Sequence, residues 1–212
     1  MLTLSDKKVY DFIDELASGA PTPGGGGGTA LVAALGVALG NMVANLTIGK
    51  KKYSDVEDSM IELSAEATKL QNEFLDLVEK DAEAFAPLAD AYRLPADTEE
   101  EKSIKENAIQ ESLITAAKVP LETMNKCARG IELLEDFARM GSNIVLSDAA
   151  CGAIFCRAAL EASWINVCVN TSLMHDESVK ESFSSEGIAL LEEYIVRAET
   201  VYGEIAMALV TD

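Results

Sequence analysis

Asp81 is the residue whose type and position most directly suggest chemistry. Met60, Leu63, Ala67, Leu70, Phe74 and Leu77 recur at steps of three and four, and the next positions on that stripe are Asp81, Ala84, Leu88 and Ala91. A carboxylate on a core-facing stripe has two fates. It caps a neighbouring helix or pairs with a cation such as Arg157, or desolvation raises its pKa and it becomes a general acid or base. A second carboxylate, Asp148, falls in a polar set with Asn143, Ser147, Asn166 and Asn170, spread around the start and the far end of a second internal helix. These side chains are ordinarily caps and helix-to-helix bonds. As functional groups, the amides could read the edge of a heterocycle, because each offers a donor and an acceptor.

Anion chemistry is suggested by the stretch from Pro21 to Tyr53, PTPGGGGGTALVAALGVALGNMVANLTIGKKKY. Glycines 24–28 lack a Cβ and permit close approach of a ligand or a second chain segment. With Thr29 to Ile48 helical, they lie at its start, where unpaired N–H groups and the macrodipole favour an anion. Lys50, Lys51 and Lys52 stand at the far end and suit a polyanionic ligand or a solvated loop. The glycines read alternatively as a linker, although a linker does not ordinarily run straight into the most apolar segment of a chain.

The elements that must position these groups read as helices. Val9, Phe12, Ile13, Leu16 and Ala17 form the stripe of a surface helix from Ser5 to Ser18-Gly19, and Pro21 and Pro23 hold an extended connection. Thr29 to Ile48 is long enough to span a bilayer and contains the Gly36/Gly40 GxxxG spacing. Its many alanines and glycines, with Asn41 and Asn45, fit a buried helix of a bundle or dimer better. Ser54-Asp-Val-Glu57 and Thr98-Glu-Glu-Glu101 are capping-box patterns that open two helices. Pro120 suits the first turn of another, ending at Gly141. Ser147 or Asp148 can cap a second internal helix running toward Met174, and Glu186 to Leu209 reads as a final amphipathic helix. The expected fold is all-α, one helical bundle domain over residues 1–212, with two buried apolar helices and a dimeric state.

With 36 acidic and 17 basic residues the formal charge is -19, which disfavours nucleic acid and anionic membrane surfaces as partners. The four cysteines, Cys127, Cys151, Cys156 and Cys168, lack CxxC spacing, and His175 is the one histidine, so no metal site is expected. The N-terminal MLTLSDKKVYDFIDEL is amphipathic and unlike a secretory leader. Reduced thiols and a cytoplasmic location are the corresponding expectations.

PTPGGGGGTA (21–30), LTIGKKKY (46–53), DAEAF with AYRLP and TEEEK (81–102), NIVLSDAACGA (143–153) and INVCVN (165–170) together resemble the cyclodeaminase/cyclohydrolase family of folate one-carbon metabolism. Members include the cyclodeaminase half of formiminotransferase-cyclodeaminase and free-standing methenyltetrahydrofolate cyclohydrolases. The resemblance covers nearly the whole chain in order. It implies an all-helical homodimer with a folate site in a cleft near the dimer interface, Asp81 or Asp148 moving protons, and no cofactor beyond the tetrahydrofolate substrate. Substrate contacts are expected from Pro23, Gly24, Gly25, Gly26, Lys50, Lys51, Lys52, Tyr53, Asn143, Ser147, Asn166 and Asn170, with the lysines and glycine amides on a polyglutamate tail. One departure is visible: the family commonly has serine directly after three glycines, where this chain has Gly27, then Gly28 and Thr29.

The first expectation is cyclodeamination, closing 5-formiminotetrahydrofolate to the 5,10-methenyl compound with loss of ammonia. A separate formiminotransferase would then be a partner. The alternative is cyclohydrolysis of 5,10-methenyltetrahydrofolate to 10-formyltetrahydrofolate. A non-catalytic acidic helical adaptor, binding through its apolar helices, is a third possibility.

Overall fold

α2 (Gly25–Asn45) is the first of the two long apolar helices. In the computed structural model, which describes residues 3–211, it follows the short α1 (Val9–Leu16) and precedes α3 (Glu57–Arg93), α4 (Glu99–Met140), α5 (Leu146–Thr171) and α6 (Glu177–Thr211). Single 3₁₀ turns, Lys51–Tyr53 and Asn143–Val145, precede α3 and α5. No strand occurs among the described residues. The expected all-helical bundle is therefore observed.

α2 and α5 run antiparallel along their whole length. Gly25 lies beside Asn166, Gly36 beside Gly152 and Cys156, and the Ser142 N–H donates to Thr47 Oγ1 at 2.8 Å. Small residues make this approach possible. A Cβ at Gly36 would stand 2.9 Å from the Gly152 carbonyl, and one at Gly152 2.6 Å from the Gly36 carbonyl. Gly40, four residues on, admits Leu134 and Phe137 of α4. The GxxxG spacing thus serves two internal contacts. Fully buried Met60, Phe74 and Leu77 of α3 and Leu113, Ile131 and Phe137 of α4 close the core. Arg129 of α4, forked onto both oxygens of Glu66 at 2.7 Å, ties α3 to α4 at the surface.

Several helix boundaries differ from those expected. α2 begins at Gly25, so the glycines form its first turn rather than a turn before it. Ser54 does not cap α3: its φ of -63° and ψ of -23° are helical, whereas an N-cap requires extended backbone, and α3 starts after Val56 without a side-chain cap. Thr98 does cap α4, with both bonds of the capping box present. Pro120 opens no new helix, because α4 runs 42 residues through it with Pro120 itself buried. α5 starts after Val145, leaving Ser147 and Asp148 in its first turn. α6 begins nine residues before the expected Glu186, where Asp176 Oδ1 accepts from the N–H groups of Ser178 and Val179.

Burial of the two apolar helices is one-sided. Of the most apolar stretch, 56% is buried in α2 and 39% in the segment containing α5. Val32, Leu35, Met42 and Leu46 of α2 remain exposed, as do Ile154, Phe155, Ile165 and Val169 of α5. Because the helices lie side by side, these residues belong to one surface of the molecule.

Candidate active site

The start of α2 is completed by another helix. Gly24, the residue before α2, has no side chain to cap it, and the Gly27 N–H instead donates to Asp81 Oδ2 of α3 at 2.9 Å. The glycines are what admit the carboxylate. A Cβ on Gly26 would stand 2.7 Å from Oδ2 and closer still to the other carboxyl atoms, while one on Gly24 would lie 3.8 Å from Oδ2. Burial pushes the Asp81 carboxyl above its ordinary pKa, and the Gly27 N–H bond opposes the rise only in part. Arg157 does not relieve it, being engaged by Glu161 and Glu199, each at 2.9 Å. Asp81 is thus both a helix cap and a desolvated acid.

A cavity of about 210 Å³ opens beside it, lined by Gly24, Gly25, Asp81, Phe85, Asn166 and Asn170 among others. Periodicity explains the grouping: Phe85 follows Asp81 by one helical turn on α3, and Asn166 and Asn170 are one turn apart on α5. Asn166 donates to the Ala162 carbonyl and Asn170 to the Asn166 carbonyl, both at 2.9 Å, which leaves the Oδ1 and the second N–H of each amide to a ligand. Pro23 is buried against the same turn, where it would meet a Cβ on Gly27 at 3.7 Å. Ser163, next to Asn166 in sequence, faces the core, and its hydroxyl has no partner.

The remaining predicted site residues lie at the other end. Lys50 Nζ donates to Ser142 Oγ at 3.2 Å, and the Asn143 N–H donates to the Tyr53 hydroxyl oxygen at 3.2 Å. This bond is the main cause of a lowered Tyr53 pKa. Lys52 stands 5.2 Å from the centre of the Tyr53 ring. Ser147 and Asp148 follow in the first turn of α5. With a rise of about 1.5 Å per residue, α2 is about 30 Å long and holds the lysine group that far from the glycines. Within one chain, therefore, the lysines and glycine amides do not form the shared anion cradle expected, and Asp148 does not face Asp81. A larger cleft of about 590 Å³ adjoins Asn143 and Leu146; of its charged lining residues, Glu135 is engaged by Arg197 and Arg139 by Asp136, while Glu204 is the third.

Phe85, Ala116, Pro120 and Val169 also line the cavity at Asp81, and the sequence reading missed them as site residues. For Phe85 and Val169 the signal was available, since each sits beside a named residue at helical spacing. Pro120 and Ala116 come from α4, whose placement over this cavity is a tertiary fact.

An all-helical bundle holding a desolvated carboxylate, a glycine helix start and two amides around one cavity has the elements of an acid–base site for a small polar ligand. Comparison with known proteins gives the family: the chain belongs to the formiminotransferase-cyclodeaminase family, whose model matches residues 8–187. A methenyltetrahydrofolate cyclohydrolase of Methylorubrum extorquens is 39% identical over 197 residues, covering 93% of this chain and 95% of that protein. Formimidoyltransferase-cyclodeaminase of Mus musculus is 31% identical over 203 residues, 96% of this chain, and the chain spans 38% of its length. The crystal structure of a formiminotetrahydrofolate cyclodeaminase from Thermotoga maritima matches with a TM-score of 0.79 and 31% identity, over 94% of this chain and 93% of that one.

Proposed function

We propose that this protein is a folate enzyme acting at the 5,10-methenyl bridge of tetrahydrofolate, with Asp81 as the proton-transferring group. The observation that carries the reading is the Asp81 carboxyl, raised in pKa by burial and set at the cavity against the first turn of α2. In cyclohydrolysis, water adds to the methenyl carbon and a base takes its proton; the carbon–N5 bond then opens as N5 gains a proton and the hydroxyl loses its own, leaving the formyl group on N10. In cyclodeamination, N10 attacks the formimino carbon, loses its proton, and ammonia departs after protonation. Both pass through a tetrahedral carbon flanked by nitrogens, and both need a carboxyl that gives and takes a proton near neutral pH. The Asn166 and Asn170 amides are placed to bind the heterocycle edge, and Phe85 offers a ring face to it.

Cyclohydrolysis is the reading the relatives support more strongly, through the 39% identity to a cyclohydrolase of nearly the same length. Cyclodeamination, favoured by the motifs read alone, is supported by the Thermotoga structure at 31% identity. The protein acts as a homodimer through its exposed α2 and α5 face, and Lys50, Lys51 and Lys52 hold the anionic glutamate tail. The test follows methenyl absorbance in two assays: decay of added methenyltetrahydrofolate, and its appearance from formiminotetrahydrofolate with ammonia release. Decay without ammonia-releasing turnover assigns the cyclohydrolase, ammonia release assigns the cyclodeaminase, and no change in either overturns the folate reading.

A further inference from the structure

We infer that the Ala116 main-chain carbonyl of α4 is a ligand contact of the Asp81 cavity, freed by Pro120 to accept a hydrogen bond from an N–H of the bound heterocycle. The inference deepens the folate reading above and rests on it. Its origin is covalent. In an α-helix the carbonyl of residue 116 accepts from the N–H of residue 120, and proline has none. Pro120 nevertheless lies inside α4, buried, with helix on both sides of it. The ring also crowds the carbonyl four residues back, which bends a helix away from the ring and opens that carbonyl on the ring's side. Here that side is the cavity, because Ala116 and Pro120, one turn apart, both line it.

A buried carbonyl without a donor is costly, so something must satisfy this one. Nearby hydroxyls do not. Thr115 donates to the Glu111 carbonyl at 3.3 Å and Thr123 to the Val119 carbonyl at 3.0 Å, and no side chain among the described residues donates to Ala116. Ala116 is 7% exposed, so the open space beside its carbonyl is the cavity itself. The other mid-helix proline gives the contrast: Pro87 of α3 frees the Glu83 carbonyl, but both residues are exposed and water serves it. An acceptor with no proton to give selects the donor edge of a ligand. A reduced pterin has such an edge in its ring N–H groups and exocyclic amine. With the reacting carbon at Asp81 of α3, the α4 wall takes that edge, and the Asn166 and Asn170 amides of α5 border the same space. A main-chain atom thus helps to orient the ring.

The experiment changes one atom. Pro120→Ala returns the N–H and ties the Ala116 carbonyl back into the helix. Pro120→lactic acid, introduced by nonsense suppression, has the same methyl group with an ester oxygen in place of that N–H, so the carbonyl stays free. Both proteins are checked for a native helical spectrum and a cooperative melt. KM for the folate that the wild type turns over should then be about tenfold higher in Pro120→Ala than in Pro120→lactic acid, the effect of one hydrogen bond, with kcat within about twofold. Equal KM values overturn the inference, since the proline ring and not the missing N–H would then matter, and so does a Pro120→Ala protein with the KM of the wild type. A second measurement needs neither turnover nor the ester. Carbonyl-¹³C alanine placed at position 116 gives an isolated amide I band, which should lie at higher frequency in the wild type than in Pro120→Ala and should fall when the folate saturates the site. Coincident bands, or a band that the bound folate does not move, overturn the inference. A wild type inactive on both folates sinks the folate reading instead, and the difference between the two unliganded bands then decides whether Ala116 offers a free acceptor.

Discussion

Replacing Asp81 with asparagine separates the two roles that its geometry combines. Asparagine keeps the shape and retains an oxygen to accept the Gly27 N–H, now 2.9 Å from Oδ2, so the cap survives. The proton-transferring function is lost. General acid–base catalysis contributes a factor of about 10² to 10⁴, and kcat/KM should fall by that much, about 3 to 5 kcal/mol of transition-state stabilisation. Stability should move the other way. The folded-state pKa of Asp81 lies above the unfolded value, so the ionised carboxylate opposes folding. Wild type is relatively most stable below the unfolded pKa, loses that increment as pH rises through the folded pKa, and stays at the lower level above it. Asp81→Asn should therefore unfold at or above the wild-type temperature at pH 7, with the difference closing as pH falls toward the unfolded carboxyl pKa. Asp81→Ala supplies the contrast, since it removes the cap as well: about 1 kcal/mol, or a Tm lowered by about 2 to 4 °C for a domain of this size. Thermal melts from pH 3 to 8 beside the methenyl absorbance assay test both halves. An Asp81→Asn protein that keeps activity within threefold of wild type, or melts well below it at pH 7, refutes the reasoning.

Gly26→Ala should cut kcat/KM by at least about tenfold, because its methyl takes the space of the Asp81 carboxylate. The overpacking costs about 1 to 3 kcal/mol, visible in urea unfolding, and an unaffected rate would mean that the carboxylate need not touch the turn. KM for a polyglutamylated folate should rise with added salt in the wild type, and less steeply in Lys51→Ala/Lys52→Ala, as screening weakens a cationic contact. Equal slopes in steady-state kinetics would place the tail elsewhere. Thr98→Ala should lower stability by about 1 kcal/mol and leave turnover unchanged, since it breaks the exposed capping box of α4 without reaching the cavity. Chemical denaturation and the same assay check it.

The helical class was legible because α3 repeats its apolar residues at regular steps, and because Thr98 and Glu101 satisfy each other's backbone groups within four residues. What depended on distant contacts was not. Ser54 matches a capping box in composition, yet the 3₁₀ turn before it sets a helical backbone at that residue. Pro120 breaks an isolated helix, but α4 carries it where flanking turns are anchored by buried Leu113, Met124 and Ile131. In the site, Asn166 and Asn170 were found with the right residues around them, because one face of one helix is readable from spacing. Their separation from Asn143, Ser147 and Asp148 is legible as well, since the length of α5 puts the two groups at its far end and its start.

The choice between cap and catalyst for Asp81 had no answer at the level of periodicity, and the geometry does not make the two exclusive. A helix that begins with glycines has N–H groups but no side chain to satisfy them, so a second element must supply the acceptor. The absence of Cβ atoms that lets Asp81 come close also leaves open space beside it, and Phe85, Asn166 and Asn170 border that space. Burial in the wall of the cavity raises the pKa of the carboxyl, while the single N–H bond opposes part of that rise. A side chain serving only as a cap would gain from more than one N–H donor and a low pKa, as Asp176 does at the start of α6 with two backbone donors and the Ser178 hydroxyl. Asp81 has one donor and a raised pKa. The contrast between these two aspartates, each at a helix start in the same molecule, is the physical reason to assign proton transfer to the first and structure to the second.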